Sequence, residues 1–218
     1  QRAIAIQPDG KLWRLTISGT EPTEILARTV ILAIPTPQAV DLLAPLADIL
    51  PVEFLNDLKA VEFYPSIAVA AGYTPTQLAQ WEAAYPQVKS VTCADDLILA
   101  WLGVDSSKRN QLAPPVFVLQ STAKFAANYP NPEDTAKASL AMLERASERF
   151  SLWFREFEWQ SPHLWRYAFP KSPRSDSYLS IDLPAPLFST GDWCRGRKVE
   201  DAYLAGLAVA KAIRANGS

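Results

Sequence analysis

The feature that most constrains the fold is Thr29-Val30-Ile31-Leu32-Ala33-Ile34, apolar after its first residue and closed by Pro35. Such a run has no polar face to offer water, so it reads as a strand buried between layers, most often a parallel one. Ahead of it, residues 2–18 read as an antiparallel hairpin. Ala3–Ile6 and Leu12–Ile17 flank Gln7-Pro8-Asp9-Gly10, where proline fixes one φ and glycine accepts the left-handed region. The second arm puts Trp13, Leu15 and Ile17 on one face and Leu12, Arg14 and Thr16 on the other, the pattern of a half-buried strand. Edge-type β structure feeding a buried strand is the tail of an α/β domain rather than its start. The sequence opens at Gln1 and holds one methionine, Met142, so we expect it to be part of a longer chain.

Composition narrows the rest. With 218 residues, 49 % hydrophobic and 20 % charged, there is material for a sizeable core in one large or two small domains. Lys and Arg number 21 against 23 Asp and Glu, a net charge of −2 with no basic stripe, which argues against nucleic acid or an anionic membrane as partner. No apolar run approaches the ~20 residues of a membrane span. One histidine, His163, and two cysteines, Cys93 and Cys194, cannot build a four-ligand zinc site, so no metal is expected. Nothing suggests a disulfide framework, which makes a reducing, cytoplasmic setting the default.

From Pro37 the pattern turns to α+β. Pro37–Leu46 reads as a short helix closed by Pro51, followed by β segments at Val61–Tyr73, Leu97–Leu102 and Val116–Gln120. Asp134–Phe150 is the clearest helix, with Leu140, Leu143, Ala146, Ser147 and Phe150 spaced to face a core. Phe154–Phe169 reads as a long aromatic strand and Lys171–Asp182 as a polar loop. The last helix runs from about Val199 to Ala215, and its stripe of Ala202, Gly206 and Ala210 lets another layer of protein approach closely.

The most informative unit is the strand–loop–helix at 187–206. Leu187-Phe188-Ser189-Thr190 runs into Gly191-Asp192-Trp193-Cys194-Arg195-Gly196 and then into that helix. Gly191 permits close backbone approach, Asp192 offers a carboxylate to a pair of hydroxyls, and Gly196 frees the loop to turn. The helix start presents unpaired N–H groups and a positive dipole end, able to stabilise negative charge on an electron-rich heterocycle. The same residues also describe an ordinary β–loop–α corner with a capping aspartate.

The stretch Phe188–Gly206, quoted in part above, closely resembles the C-terminal flavin motif of FAD-dependent amine-oxidase-type oxidoreductases, especially their renalase-like branch. Val30–Gln38 resembles the strand-to-loop segment that returns to the FAD in that family, and Trp165-Arg166-Tyr167-Ala168 its strand on the substrate side. The resemblance implies a remnant of a Rossmann-like FAD-binding domain, residues 1–36 and 184–218. To this it joins a substrate domain, 37–183, with a mainly antiparallel sheet and helices. It implies cofactor contacts at Pro35, Gly191, Asp192, Trp193, Gly196, Val199 and Glu200. Asp192 would hold the ribitol or pyrophosphate portion, and the N–H groups around Val199 would face the N1/C2=O edge of the flavin. Trp165 and Tyr167 would wall the substrate cavity, or serve as plain core aromatics. The implied reaction is oxidation of an amine or a reduced nicotinamide-type small molecule, with dioxygen as a candidate acceptor. No catalytic side chain is implied, since the flavin carries the chemistry. The rival expectation is a non-enzymatic binding or scaffold module that keeps the fold without the cofactor.

Two departures stand out. The dinucleotide fingerprint G-x-G-x-x-G is absent, none of the eight glycines having that spacing. A missing N-terminal FAD-binding segment is therefore an expected partner, and residues 1–218 alone are expected to hold FAD weakly or not at all. Asp201 stands where relatives more often carry a small residue. His163 reads as a loop histidine, Arg166 as a solvated or ion-paired residue, and Cys194 as a bystander to non-covalent FAD.

Overall fold

A computed structural model describes residues 1–19, 21, 23–108 and 114–215. In chain order the elements begin with β1 (Arg2–Asp9), β2 (Leu12–Ser18), β3 (Thr23–Ala27), β4 (Val30–Leu32), α1 (Thr36–Leu43), α2 (Val52–Lys59), β5 (Phe63–Gly72), α3 (Pro75–Ala84) and β6 (Ser90–Thr92). They continue with β7 (Leu99–Val104), β8 (Val116–Ser121), α4 (Ala123–Ala126), α5 (Thr135–Arg149), β9 (Trp159–Pro170), β10 (Leu179–Ile181), β11 (Leu187–Ser189) and α6 (Val199–Ala215). The chain divides into two compact units, Gln1–Phe63 with Phe169–Ser218, and Tyr64–Ala168.

The first unit holds two small sheets. β1, β2 and β3 form an antiparallel meander whose first turn is closed by Gly10 at φ +59°. In the second sheet β4 lies parallel to β11, Val30 opposite Leu187 and Leu32 opposite Ser189, and β10 completes it antiparallel to β11. A parallel contact between residues so far apart in sequence is what the apolar run at 29–34 called for. The core joins Trp13, Val30, Leu32, Leu187, Trp193 and Ala205. Trp13 is fully buried and donates its Nε1–H to the Ala185 carbonyl at 3.1 Å, so its one polar atom is satisfied.

Three expectations for this unit need correction. Residues 37–63 and 169–183 belong with the terminal segments and not with the middle of the chain. The reason is packing: Ala39 and Leu43 of α1 and Phe54, Leu55 and Leu58 of α2 are buried in the same core as β4 and Trp193. The run at 29–34 is not covered on both faces, because Val30 and Leu32 are buried while Ile31 is 46 % exposed. The polar stretch 171–182 also contains a strand, β10.

The second unit is a five-stranded sheet in the order β6-β7-β8-β5-β9, with β6/β7, β7/β8 and β8/β5 antiparallel. Tyr73 anchors its aromatic core, edge-on to Phe117 and Trp153, with its hydroxyl donating to the Phe154 carbonyl at 3.1 Å. α5 buries Leu143, Ala146 and Ser147 as expected and packs Phe150 against the core, whereas Leu140 points outward at 53 % exposure and Ala138 and Met142 are buried in its stead. The expected strand Phe154–Phe169 begins only at Trp159, because 152–155 form a single 3-10 turn that buries Trp153 and Phe154.

Candidate functional site

Parallel strands deliver their carboxyl ends to the same edge of a sheet, and ligands of open α/β sheets bind outside that edge. The chain leaves β4 there through Pro35 and β11 through Gly191-Asp192, and a cavity of about 570 Å³ opens between these segments and α6. Ile31, Ala33 and Ile34 form one apolar wall, which explains the exposure of Ile31 inside an otherwise buried run. Ala202, Gly206 and Ala210 form the facing wall. The stripe of small residues therefore borders open space, and a Cβ built on Gly206 would meet nothing within 4 Å.

The loop after β11 is strapped from outside. Arg174 donates its N–H to the Trp193 carbonyl at 2.8 Å, and its own carbonyl accepts the Arg195 N–H at 2.7 Å. The Arg174 guanidinium bonds Asp57 at 2.9 Å and Asp176 at 3.0 Å. Held this way, Arg195 sits at φ +76°, a left-handed position uncommon for a residue with a side chain. Asp192 stands half-buried on the cavity rim. Burial pushes its carboxyl above the ordinary range, opposed by hydrogen bonds from the Trp193 N–H and its own. Cys194 is fully buried, and burial pushes its thiol up to about 11, so it stays protonated near neutrality and is a poor nucleophile.

Helix α6 opens at the cavity mouth, where Arg197, Lys198 and Val199 line the space. Asp201 Oδ2 accepts the N–H of Lys198 at 2.9 Å and that of Arg197 at 3.0 Å. Ala202 makes the first helical bond, to the Lys198 carbonyl at 3.2 Å. The amides of Val199, Glu200 and Asp201 thus have no carbonyl one turn earlier to bond.

Of the residues expected to meet the cofactor, Pro35, Gly191, Asp192, Trp193 and Val199 line this cavity; Gly196 and Glu200 do not. Gly196 has another task, since the Asp201 carboxylate fills the place where its Cβ would be. Glu200 points to solvent. Trp165 and Tyr167 lie on β9 in the second unit, Trp165 54 % exposed with its ring 4.4 Å from that of His163. His163 is therefore a strand residue and not a loop histidine; Pro162 beside it is tolerated because β9 is an edge strand. Sequence reading missed Ile31, Thr190, Arg197 and Lys198. The paired cations just ahead of a helix start were the available signal for the last two.

The sequence profile described as flavin containing amine oxidoreductase matches residues 2–214. The chain belongs to that family. Among solved structures it is similar to cyclohexylamine oxidase from Brevibacterium oxydans IH-35A, at 13 % identity and a TM-score of 0.62, covering 97 % of this chain and 47 % of that one. It is also similar to wild-type putrescine oxidase bound to putrescine, at 13 % identity and a TM-score of 0.64, covering 97 % of this chain and 48 % of that one. The chain thus spans about half the length of these structures. At such identities the likeness is one of fold, a mixed α/β arrangement. No curated protein matches the sequence. Among the described residues, no helix is long and apolar enough to cross a membrane, and no group of three His, Cys, Asp or Glu could hold a metal ion.

The cavity fits a flavin. Its apolar walls suit a flat ring, Gly206 leaves room that a side chain would fill, and Asp192 and the α6 N-terminus at its rim would be the polar groups within reach. Trp193 Nε1, buried with no partner among the described residues, backs the same loop.

Proposed function

We propose that this chain is the substrate-side and C-terminal part of an FAD-dependent oxidoreductase of the renalase-like branch. Its substrate would be an amine or a reduced nicotinamide-type small molecule, with dioxygen as acceptor. The observation that carries this reading is the convergence of Pro35, Gly191-Asp192 and the α6 N-terminus on one apolar cavity in a chain of the flavin amine oxidoreductase family. When bound, FAD supplies the acceptor for the substrate's hydride, so the protein's part is binding, orientation and exclusion of water. Asp192 would hold the ribityl portion, accepting a hydrogen bond from one of its hydroxyls. The amide of Val199, which opens α6 at the cavity wall, would donate to the electron-rich edge of the ring. Trp165 and Tyr167 are assigned to substrate contact. The pyrophosphate needs a glycine-rich turn that these residues lack, so the partner required is an N-terminal FAD-binding segment. The charge balance supports neither nucleic acid nor a membrane surface as partner, and the setting proposed is the cytoplasm.

The test is direct. The polypeptide is produced with any sequence its gene encodes before Gln1, and its flavin absorbance bands and quenching of added FAD fluorescence are recorded. Stoichiometric flavin, bleached by an amine or a reduced nicotinamide under anaerobic conditions, supports the proposal. A colourless protein that does not quench FAD favours the scaffold reading instead.

A further inference from the structure

The first turn of α6 carries a charge that a flavin-facing helix end does not need for folding. Both amides that Asp201 caps, those of Arg197 and Lys198, bond to the same oxygen, Oδ2. A neutral side chain with one correctly placed oxygen would cap them as well. Gly196 is cleared for this carboxylate, since a Cβ there would stand 2.1 Å from Oδ2. Asp201 is therefore pinned from two sides, and its charge cannot swing into solvent as those of the exposed Lys198 and Glu200 can; the Arg197 guanidinium is held as well, donating to the Lys171 carbonyl.

A helix N-terminus acts as about half a positive charge, and that field falls off within the first turn. A full negative charge fixed in that turn more than cancels it. The same turn lends Val199 and Ala202 to the cavity wall. Reduction places negative charge on a flavin, which the bare helix end would favour and the Asp201 carboxylate opposes. We infer that Asp201 sets the redox poise of the site, making a flavin held in this cavity harder to reduce than the uncancelled α6 terminus would. It is a positioning residue that acts through the helix end. The inference rests on the flavin reading above.

The experiment compares the flavin-loaded polypeptide with its Asp201→Asn variant. Asparagine keeps an oxygen for both amides and removes the charge. Reduced flavin should then bind about two- to fivefold more tightly relative to oxidised flavin than it does in the parent. At 29.6 mV per tenfold for a two-electron couple, the midpoint potential rises by about 10–20 mV. A purely structural role would weaken both forms of the flavin alike and leave the potential where it was. Should the asparagine variant fail to fold, Asp201→Ser removes the same charge and must move the potential in the same direction. Flavin bound at an unchanged or lowered potential overturns this inference and leaves the flavin reading intact. A parent that takes up no flavin overturns both.

Discussion

Trp193 Nε1 lies 2.8 Å, and Cδ1 2.9 Å, from the point that a Cβ on Gly191 would occupy. The indole is 1 % exposed and packed in the core of its unit, so it cannot swing away. Gly191 is thus required by the ring beneath it. Gly191→Ala should cost about 1–3 kcal/mol as an overpacked site. The measurement is a lowered urea midpoint at unchanged m-value. An unchanged midpoint would mean that the loop gives way, and that the strap from Arg174 does not hold it.

Asp96 ties the β6–β7 turn to α5. Its Oδ1 accepts the N–H groups of Ile98 and Leu99 at 2.9 Å each, and its Oδ2 takes Arg145 Nε at 2.8 Å. Burial alone would raise this carboxyl. The Leu99 and Ile98 amides, and then Arg145, outweigh it and hold the carboxyl below the ordinary 3.8. The stabilisation is therefore present above that ordinary value and lost as pH falls through the lower folded one. Asp96→Ala should destabilise by about 1–3 kcal/mol near neutrality, because the buried Leu99 amide and the half-buried Ile98 amide lose their acceptor. The gap between variant and parent should narrow in acid. Denaturant titrations across a pH series check both points, and a gap that widens in acid contradicts the assignment.

Legibility followed burial. The hairpin, the strands β4 and β11 and the helix α6 could be read from their apolar patterns, though the pairing of β4 with β11 could not. β3 escaped because four of its five residues are exposed and it has no alternating face. α3 escaped because only Gln77 and Trp81 of its residues are fully buried; its one clear signal was the capping box, Thr74 with Gln77, which the structure makes in both directions. α2 was hidden behind Pro51, read as a stop when it is also a good helix start. At the site, residues with distinctive backbone chemistry, Pro35 and Gly191-Asp192, were legible. The apolar wall was not, since Ile31 looks in sequence like any other core residue. Gly196 was misread because its reason is the carboxylate of Asp201, five residues on in the chain.

Trp165 offers a contrast with the cavity residues. At 54 % exposure its indole contributes little to the core of its unit. Trp165→Ala should leave stability within about 0.5 kcal/mol of the parent. In the flavin-loaded polypeptide it should also leave FAD affinity unchanged while lowering kcat/KM for the substrate. Steady-state kinetics beside a denaturation curve separate these outcomes. Unaltered kinetics would remove Trp165 from the substrate side.

Asp192 carries the sharpest test of the cofactor site. A carboxylate accepting a ribityl hydroxyl makes a charge-assisted hydrogen bond, so Asp192→Ala should cost about 1.5–3 kcal/mol of FAD affinity, roughly ten- to a hundredfold. The flavin-free protein gives an independent readout. Burial holds this carboxyl above its ordinary 3.8, so the stability tied to its proton is complete below that value. It is lost as pH rises through the folded value. Asp192→Asn removes the ionisation, so the variant should gain stability relative to the parent as pH climbs across that window. Fluorescence-quenching titrations with FAD and urea midpoints across the same pH range measure the two effects separately. If Asp192→Ala binds FAD as tightly as the parent while the pH effect is present, the aspartate is a buried corner residue and the ribityl contact lies elsewhere.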